Sequence, residues 1–348
     1  MTTVPAPMVP GTGPARDALA QMNDDGLGLA VVGGGDGTPV GTITDGDIRR
    51  AVLAGATLAT SVAEIMGNDP TMVGPGAPDD EVRELLERHH LRAAAVVDGG
   101  RVVGLRHLAE VGGVRAPVTA VILAGGRGQR LRPLTDRVPK PLLTVGRTTI
   151  IERLLEGLRV AGVTEVWLAV NYKAEVFEQR LGAGEGHGVH LRYLREHKEL
   201  NTAGPLSLLP EQPSGPVLVM NADQVTAVHF ARLVDFHRQQ GAAITVGTFD
   251  HAVQIPYGVL RLDGGSVVGI DEKPVLRRPC NAGIYVLEPD VVALVPPDTF
   301  FGMPALVEAV LAEGRPVAAF PILEKFIDIG TLEELEAALV LFATGEEV

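Results

Sequence analysis

The sequence predicts an α/β protein in which a doubly wound, mainly parallel sheet follows a smaller α/β domain. Beyond residue 115, apolar runs typical of buried strands (VTAVILA, EVWLAV, PVLVMN) alternate with helical patterns such as IIERLLEGLRVAG. This alternation is typical of a parallel sheet with helices on both faces. Before residue 115, a shorter pattern of strands and turns occurs twice. We therefore expect two domains, residues 1–115 and 116–348.

The N-terminal part contains two copies of one unit, at about residues 10–67 and 68–113. Each copy has a strand, a glycine-rich turn, a second strand and the start of a helix, in LGLAVVGGGDGTPVGTITDGDI and LRAAAVVDGGRVVGLRHLAEV. In the second copy, DDEVRELLERHH has apolar residues at helical spacing and predicts a helix before the strands. The linker GGVRAPVT then leads to the first strand of the larger domain.

Composition and charge argue against several classes of protein. The chain has 348 residues, of which 46% are hydrophobic, enough for a substantial core. A formal net charge of -13 argues against a surface for nucleic acid or for an anionic membrane. No apolar run reaches the roughly 18 residues of a membrane span, and the first residues lack a signal-peptide pattern. The single cysteine, Cys280, excludes an internal disulfide. We expect a cytoplasmic protein.

A glycine-rich loop follows the first strand of the larger domain. The string GGRGQRLRPLTDRVPKPLLTVG begins after AVILA, and Gly125, Gly126 and Gly128 let backbone N–H groups approach phosphate oxygens closely. It lacks the third glycine of a dinucleotide fingerprint, and the chain has no Walker A motif. Arg130 and Lys140, the latter between two prolines, add cations that stabilise phosphoryl transfer. A tight turn with surface arginines is the alternative.

Two aspartates far apart in the chain are candidate metal ligands. Asp223 follows the strand-like run VLVM, and Asp328 lies in FIDIG, another short strand pattern. Two carboxylates can hold one Mg2+ when water and phosphate oxygens complete its coordination shell. Each aspartate alone is also compatible with a helix cap or a turn.

The glycine loop with the PLT and PKP that follow it resembles the signature of sugar-1-phosphate nucleotidyltransferases, and the resemblance extends over residues 118–342. It implies a Rossmann-like domain in which Asp223 and Asp328 hold Mg2+, Arg130 contacts the leaving phosphates and Lys140 supports the reacting ones. Ala222 replaces the glycine usual before the first aspartate. The residues implied to bind the nucleotide are Ala124, Gly125, Gly126, Gly128, Asn171, Asn201 and Thr202.

Three short segments at the ends of later strands, PYGVL, DEKP and NAG, carry polar groups suited to sugar hydroxyls. By the resemblance, Gly258, Glu272 and Asn281 bind the sugar, and Lys273 binds its phosphate. Taken alone, DEKP also fits an ordinary charged turn. The later strands themselves predict an antiparallel extension that covers a cleft at the carboxyl ends of the parallel strands.

The segment REHKELNTAGPLSLL resembles the family segment that lines the nucleotide and sugar pocket, with Asn201 in place of the usual glycine. Together with Asn171 in NYKAE, it is most similar to guanylyltransferases for mannose, heptose or glucosamine 1-phosphates. GTP is therefore the favoured triphosphate. A uridylyl- or thymidylyltransferase is the alternative.

In the first repeat, GTITDGDIRRAV resembles the motif of cystathionine-β-synthase (CBS) domains, in which a threonine and an aspartate contact an adenine nucleotide. Thr44 and Asp47 match, whereas the second repeat has His107 and Glu110. We expect at most one such site, for an adenine or guanine nucleotide, and a homodimer or higher homo-oligomer. A structural dimerisation module without a ligand is the alternative.

Together these patterns predict an enzyme that joins a nucleoside triphosphate to a sugar 1-phosphate and releases pyrophosphate. Its catalytic residues are expected to be Arg130, Lys140, Asp223 and Lys273. A non-catalytic sensor of nucleotide sugars is the alternative from another class of protein. We expect neither a nucleic acid nor a membrane as a partner.

Overall fold

The computed structural model describes residues 8–35, 38–67, 71–113 and 117–342. The expected domain boundary near residue 115, the junction of the two repeats at residue 68 and the acidic C-terminal residues lie outside the described residues. The described parts before and after this boundary are called the N-terminal and the C-terminal unit below.

Both repeats of the N-terminal unit are small three-stranded sheets with helices. The first contains β1 (Met8–Pro10), α1 (Ala15–Asp25), β2 (Leu29–Gly33), β3 (Pro39–Thr44), α2 (Asp45–Leu53) and α3 (Val62–Ile65). The second contains β4 (Met72–Val73), α4 (Asp79–Arg88), β5 (Ala93–Asp98) and β6 (Arg101–His107). In each sheet the first strand runs parallel to the second and the second antiparallel to the third. The two repeats therefore share one topology.

A helix is predicted after the two strands of each repeat, but it forms only in the first repeat. There α2 starts directly after β3, with the hydroxyl of Thr44 accepting from the Asp47 amide and the Asp47 carboxylate accepting from the Thr44 amide. After β6 the prediction is wrong, because residues 108–112 form turns. Gly112 has a φ of 74°, a left-handed backbone conformation that does not continue a right-handed helix.

The C-terminal unit alternates strands and helices as the sequence predicts. Its strands are β7 (Thr119–Leu123), β8 (Thr144–Val145), β9 (Thr148–Thr149), β10 (Glu165–Val170), β11 (His190–Arg195), β12 (Val217–Asn221), β13 (Gln224–Thr226), β14 (Ile244–Gln254), β15 (Val259–Asp263), β16 (Ser266–Asp271), β17 (Val275–Leu287), β18 (Val317–Pro321) and β19 (Phe326–Asp328). Its helices are α5 (Ile150–Val160), α6 (Ala174–Leu181), α7 (Phe230–Gln240), α8 (Pro289–Val292), α9 (Met303–Ala312) and α10 (Leu332–Leu341).

A central sheet organises this unit. Within the described residues it has seven strands in the order β11-β10-β7-β12-β17-β14-β18. All run in the same direction except β17, which is antiparallel to both of its neighbours. The predicted doubly wound, mainly parallel sheet is confirmed. The carboxyl ends of β7, β10 and β12 therefore meet at one edge, where ligands of such sheets bind.

Apolar side chains cover both faces of the sheet. On one face Ile122 packs in a cluster with Leu154 of α5 and Phe230 of α7. On the other, Val121 and residues of α9 such as Leu306 share a second cluster. Because successive strand residues point to opposite faces, a strand buried on both sides needs the continuous apolar run seen in β7.

Strands β14 and β17 continue past the sheet as a two-stranded arm that ends in the hairpin β15–β16. The arm is residues 248–281, and its hairpin is mostly exposed to solvent. The antiparallel extension that the sequence predicts is therefore present. Its position over a cleft stays a prediction.

None of the helices in the described ranges combines the length and the apolar character that a bilayer span requires.

Candidate active site

Asp223 lies at the carboxyl edge of the central sheet. β12 ends at Asn221, and a two-residue turn carries the chain into β13. The amide of Ala222 donates to the carbonyl of Leu123 at 3.1 Å, which continues the pairing of β12 with β7. Ala222 is buried, so its methyl group fits where the family has glycine. The turn thus holds Asp223 directly beside the end of β7.

Asp328 reaches the same place from a distant part of the chain. β19 pairs antiparallel with β13, and Gln224 lies opposite Asp328 in this ladder. The amide of Ile329 donates to the carbonyl of Asp223 at 2.9 Å. The structure therefore brings the two aspartates together through backbone pairing, not through flexible side chains alone.

Lys140 lies against this pair of aspartates. It begins a short 3-10 turn, Lys140–Leu142, and is buried between Pro139 and Pro141. Its Nζ lies 2.6 Å from Oδ2 of Asp223. Because the adjacent prolines restrict the backbone, the direction of this lysine is fixed by the PKP sequence.

The second oxygen of Asp223 has no such partner. Oδ1 is one of three buried side-chain oxygens that lack a hydrogen-bond partner among the described residues. A buried carboxylate oxygen without a partner is costly, and a bound cation removes this cost. The geometry of Asp223 therefore fits a group with positive charge between the two carboxylates.

Asp223 also influences the protonation of Asp328. Burial, and then the negative charge of Asp223, raise the pKa of Asp328 to about 6, although Lys140 and Arg130 act in the opposite direction. The carboxyl is exposed on one side, so a ligand can reach it from solvent. A divalent cation would reverse this effect, because it favours both carboxylates in their charged form.

These ligands suit Mg2+ better than a transition metal. In the described parts of the chain, no three His, Cys, Asp or Glu side chains form a cluster that could enclose a metal. Mg2+ is commonly held by one or two carboxylates, with waters and substrate phosphates completing its octahedral shell. Asp223 and Asp328 match this donor set.

The glycine loop begins where β7 ends and faces the same edge. The amide of Ala124 donates to the carbonyl of Ala169 in β10 at 2.8 Å. A Cβ atom on Gly125 would lie 2.6 Å from Oε1 of Glu196, so a larger residue would displace that carboxylate. Gly126 has open space beside it. The loop thus leaves its backbone accessible next to the aspartates.

The other end of the loop packs on the Lys140 segment. Gly128 has a φ of 59°, and a Cβ atom there would lie 3.0 Å from Thr135 and 3.2 Å from Lys140. The hydroxyl of Thr135 donates to the carbonyl of Gly128 at 2.8 Å. Glycine at this position is therefore required both by conformation and by contact.

Arg130 lies in the short turn Gln129–Leu131 and is exposed. Its Nη1 would be 2.9 Å from a Cβ atom on Gly330, two residues after Asp328. The guanidinium group therefore lies near the aspartates, on the solvent side of the loop. This is a suitable place for a cation that contacts phosphates.

Glu196 is a site residue that the sequence analysis did not single out. It follows β11, and its Oε2 accepts from the amide of Leu200 at 3.1 Å. Burial raises the pKa of Glu196. Asn171 follows the neighbouring strand β10 and also lies near Gly125. The position of Glu196 immediately after a parallel strand was the signal that could have identified it.

Asn201 and Thr202 shape the next loop. Asn201 has a φ of 64°, in the left-handed region where glycine is usual and asparagine is among the best tolerated alternatives. The hydroxyl of Thr202 accepts from the amide of Met303 at 2.8 Å, at the start of α9. The replacement of glycine by asparagine therefore preserves the backbone turn. Nucleotide binding by these two residues stays a prediction.

The residues expected to bind the sugar lie on the arm. Gly258 and Glu272 are adjacent, since a Cβ atom on Gly258 would lie 3.1 Å from Oε2 of Glu272. Lys273 is exposed and has no hydrogen bond or ion pair within the described residues. The ladder runs six residues from Asn281 to Val275, roughly 20 Å at the usual rise per residue. Lys273 forms no ion pair with Asp223 or Asp328 in the part of the chain that the structure describes, and its role stays a prediction.

Asn281 lies at the base of the arm. Its Nδ2 donates to the hydroxyl of Tyr285 at 2.6 Å, and its Oδ1 accepts from the amide of Gly283 at 2.8 Å. Both polar groups of its side chain are thus used within β17. A sugar hydroxyl would have to share them.

Thr44 and Asp47 lie in a cleft of about 350 Å³ between the two repeats and α7. Their side chains bond to each other, with the Thr44 hydroxyl donating to Asp47 Oδ2 at 2.7 Å, and they also cap α2. Arg50 pairs with Asp47 at 2.5 Å. His90 of the second repeat and Gln239 of α7 also line the cleft. A ligand in this cleft would meet polar groups from both repeats and from α7.

Comparison with known proteins agrees with this architecture. The chain matches the nucleotidyl transferase family over residues 119–344 and the CBS domain over residues 1–54 and 62–105. The fold resembles a putative glucose-1-phosphate thymidylyltransferase from Bacillus anthracis, with a TM-score of 0.54 and 23% identity, covering 65% of this chain and 96% of that one. It also resembles HddC from Yersinia pseudotuberculosis, with a TM-score of 0.51 and 24% identity, covering 64% and 99%.

Closer sequence similarity is found among guanyltransferases. The mannose-1-phosphate guanyltransferase of Candida albicans is 35% identical over 238 residues, covering 65% of this chain and 64% of that protein. The Saccharomyces cerevisiae enzyme of the same name is 34% identical over 235 residues, covering 64% of each. The chain thus spans less than two thirds of the length of these relatives. By its match over the whole C-terminal unit, the chain belongs to the nucleotidyl transferase family and carries CBS domains in front of it.

Proposed function

We propose that the chain is a sugar-1-phosphate guanylyltransferase, which converts GTP and a sugar 1-phosphate into a GDP-sugar and pyrophosphate. The observation that carries this proposal is the pair Asp223 and Asp328 beside the glycine loop, with one buried aspartate oxygen still without a partner. The relatives named mannose-1-phosphate guanyltransferase support GTP as the donor. The 1-phosphates of mannose, of a hexosamine and of a heptose are all candidate acceptors.

The reaction is an in-line displacement at the α-phosphorus of the triphosphate. An oxygen of the sugar 1-phosphate forms the new P–O bond, and the bond to the bridging oxygen of the β-phosphate breaks as pyrophosphate leaves with its electron pair. No covalent intermediate on the protein is needed. Lys140 and Arg130 lie where they can hold two mutually repelling anions, so positioning and charge stabilisation supply most of the rate.

Asp223 and Asp328 would hold Mg2+. When bound, this ion would neutralise the negative charge that develops on the phosphates. Lys140 keeps the Asp223 carboxylate fixed through its contact at 2.6 Å, so the ligand need not reorganise when the substrate arrives. Backbone N–H groups of the glycine loop are accessible to phosphate oxygens because no side chain covers Gly126.

A matrix of triphosphates and sugar phosphates tests the proposal. Pyrophosphate release is measured with GTP, UTP, dTTP, CTP and ATP, each against mannose, glucose, glucosamine and heptose 1-phosphates. We expect turnover to be highest with GTP. A preference for UTP or dTTP would instead support a uridylyl- or thymidylyltransferase of the same fold. Binding of a GDP-sugar without turnover of any pair would support a non-catalytic sensor.

The sugar side depends on the arm. Gly258 and Glu272 are adjacent on it, and Lys273 is exposed next to them, so they can serve the sugar only when the arm approaches the cleft. We expect Lys273→Met to raise the KM for the sugar 1-phosphate about tenfold, the loss of one charged contact. Arg278→Met, also exposed on the arm, is the matched control. Equal kinetic constants for the two variants would show that Lys273 does not bind the sugar 1-phosphate.

A homodimer or higher homo-oligomer is the proposed assembly, with the cytoplasm as its compartment. One face of the hairpin β15–β16 exposes four large apolar side chains, Leu260, Leu262, Val267 and Ile270, between 50% and 63%. A two-stranded hairpin with an uncovered apolar face has little stability of its own, and a second copy can cover that face. Light scattering should find Leu262→Glu monomeric at concentrations where the parent chain is not.

The cleft at Thr44 and Asp47 is the proposed site for an adenine or guanine nucleotide. Both residues line it, and so do residues of the second repeat and of α7. Calorimetric titration of the full chain with AMP, ATP, GMP and GTP tests this idea, with Asp47→Ala as the variant. Identical heats for the parent chain and the variant would leave the repeats as a structural module only.

A further inference from the structure

A buried ion cluster joins the two units at the junction of α2 with β18. Arg49 lies on α2 of the first repeat, and its side chain is fully buried. Its guanidinium donates to Asp45 at 2.7 and 3.0 Å and to Glu324 at 2.6 Å, and also to the carbonyl of Pro321. It lies 3.9 Å from the ring centre of Phe320. Three of these four partners belong to the C-terminal unit.

A second arginine crosses the same junction in the opposite direction. Arg232 of α7 is buried, and its Nη1 donates to Asn23 of the first repeat at 2.5 Å. It also donates to the carbonyl of Met22 and lies 3.4 Å from Asp45. Asp45 therefore contacts one arginine from each unit. Because breaking a buried, paired charge is strongly destabilising, this cluster fixes how α2 sits on the C-terminal unit.

The segment that Arg49 contacts is short and ends in Asp328. Pro321 is the last residue of β18, and Glu324 lies two residues before β19 begins at Phe326. Lys325 lies between Glu324 and β19, and its carbonyl accepts from the amide of Ala227 at 2.9 Å. Arg49 thus holds the near end of a segment, residues 321–328, whose far end carries a metal ligand of the proposed function.

We propose that Arg49 is a positioning residue for the nucleotidyl transfer: from the first repeat it fixes residues 321–328 and thereby helps to set Asp328 beside Asp223. The inference rests on the proposed function for the role of the aspartates, but the mechanical part concerns this chain alone. It makes the N-terminal unit a component of the active-site framework. Sequence similarity of the catalytic unit to other transferases does not reveal this contribution, because the residue lies outside that unit.

The test uses the full chain with Arg49→Met, which keeps the apolar stem but removes the charge. Arg16→Met on α1 is the matched control, because Arg16 forms only a surface pair with Asp17 at 3.6 Å. Three quantities are measured: the Kd for Mn2+ without substrates by electron paramagnetic resonance, amide hydrogen exchange of residues 224–226 and 326–329, and kcat and KM for GTP.

Arg49→Met should raise the Kd for Mn2+ about tenfold, the lower end of what outer partners of metal ligands contribute. Exchange at residues 326–329 should accelerate, since this strand loses its anchor. In this variant kcat should change by a larger factor than the KM for GTP, because the substitution does not contact the glycine loop. Arg16→Met should match the parent chain in all three. An unchanged Mn2+ affinity and unchanged exchange in a folded Arg49→Met would overturn the inference.

A second variant covers the case in which Arg49→Met does not fold. Glu324→Gln keeps the size and an acceptor oxygen but removes one charge from the cluster, and it should shift Mn2+ affinity and exchange in the same direction by a smaller factor. If it changes neither, the inference fails. If the parent chain transfers no nucleotide but both variants alter Mn2+ affinity and exchange, the proposed function fails and the positioning role of Arg49 stands.

Discussion

The ammonium nitrogen of Lys140 lies 2.6 Å from Oδ2 of Asp223, while Oδ1 of the same carboxylate is buried without a hydrogen-bond partner among the described residues. One oxygen is thus held by a cation of the protein, and the other is left for a cation from solution. Asp328 lies beside it through the pairing of β13 with β19. The roles of lysine and metal can therefore be separated by experiment.

Lys140→Met should lower kcat by about 10²- to 10³-fold, the usual effect of removing one group that stabilises developing charge. It should not weaken Mn2+ binding, because the variant removes a positive charge next to the metal ligands. Steady-state kinetics and Mn2+ titration of the same sample check both statements. A variant with normal kcat and weaker Mn2+ binding would show that the lysine serves the aspartates only.

Metal affinity should fall as the pH is lowered through about 6. Burial and the neighbouring Asp223 raise the pKa of Asp328 to about 6, so below this pH a proton competes with the cation. We expect the Kd for Mn2+ to rise roughly fivefold from pH 6 to pH 5, since one proton must leave per ion bound and the carboxyl is already about half protonated at pH 6. A flat Kd over this range would contradict the assignment.

The same shift predicts the effect of Asp328→Asn on stability. A carboxyl whose pKa is higher in the folded than in the unfolded chain stabilises the fold below its unfolded pKa, and this contribution is lost as the pH rises through about 6. The metal-free variant should therefore unfold at a higher temperature than the metal-free parent at pH 8, with the difference disappearing near pH 4. Calorimetry at both pH values decides this. If the variant is no more stable than the parent at pH 8, the charged carboxylate of Asp328 does not destabilise the folded chain.

Two neighbouring loop glycines should differ in their tolerance of alanine. Gly128→Ala places a Cβ atom at a φ of 59° and 3.0 Å from Thr135, which should reduce the free energy of unfolding by about 1–2 kcal/mol. Gly126→Ala meets open space and should change it by less than about 0.5 kcal/mol. Urea denaturation measures both. Equal losses for the two variants would show that the loop conformation differs from the one described.

Asn201 should accept glycine but not a β-branched residue. At a φ of 64°, Asn201→Gly should keep nearly the parent stability, whereas Asn201→Val should lose about 1–2 kcal/mol of unfolding free energy. The comparison of the two urea midpoints tests whether asparagine stands here for its backbone conformation. If Asn201→Gly keeps the stability but loses affinity for GTP, the side-chain amide of Asn201 also contacts the nucleotide.

Much of the site could be predicted because parallel strands end at one edge. Asp223 and Asn171 each follow an apolar run, and the sheet order places those runs on either side of β7. The glycine loop follows β7 itself. Local patterns were therefore enough to assign these residues to one crevice.

Other features depend on long-range contacts that leave no local pattern. Arg49 stands in a helix where a charged residue would ordinarily face solvent, and only the packing of α2 on β18 explains its burial. Glu196 was part of a recognised segment, but its contact with Gly125 requires the spatial order of two strands. The direction of the arm is likewise set by tertiary structure, since its strand pattern is the same whether it folds over the cleft or projects from it.

The most direct test of the account is a titration of Mn2+ into the substrate-free chain at pH 7.5, followed by electron paramagnetic resonance. The parent chain should bind one ion, and Asp223→Asn and Asp328→Asn should each weaken binding by at least about tenfold. Asp290→Asn, an exposed carboxylate paired with Arg315, should bind as the parent does. Equal Mn2+ affinity in all four proteins would contradict the claim that Asp223 and Asp328 share a divalent cation.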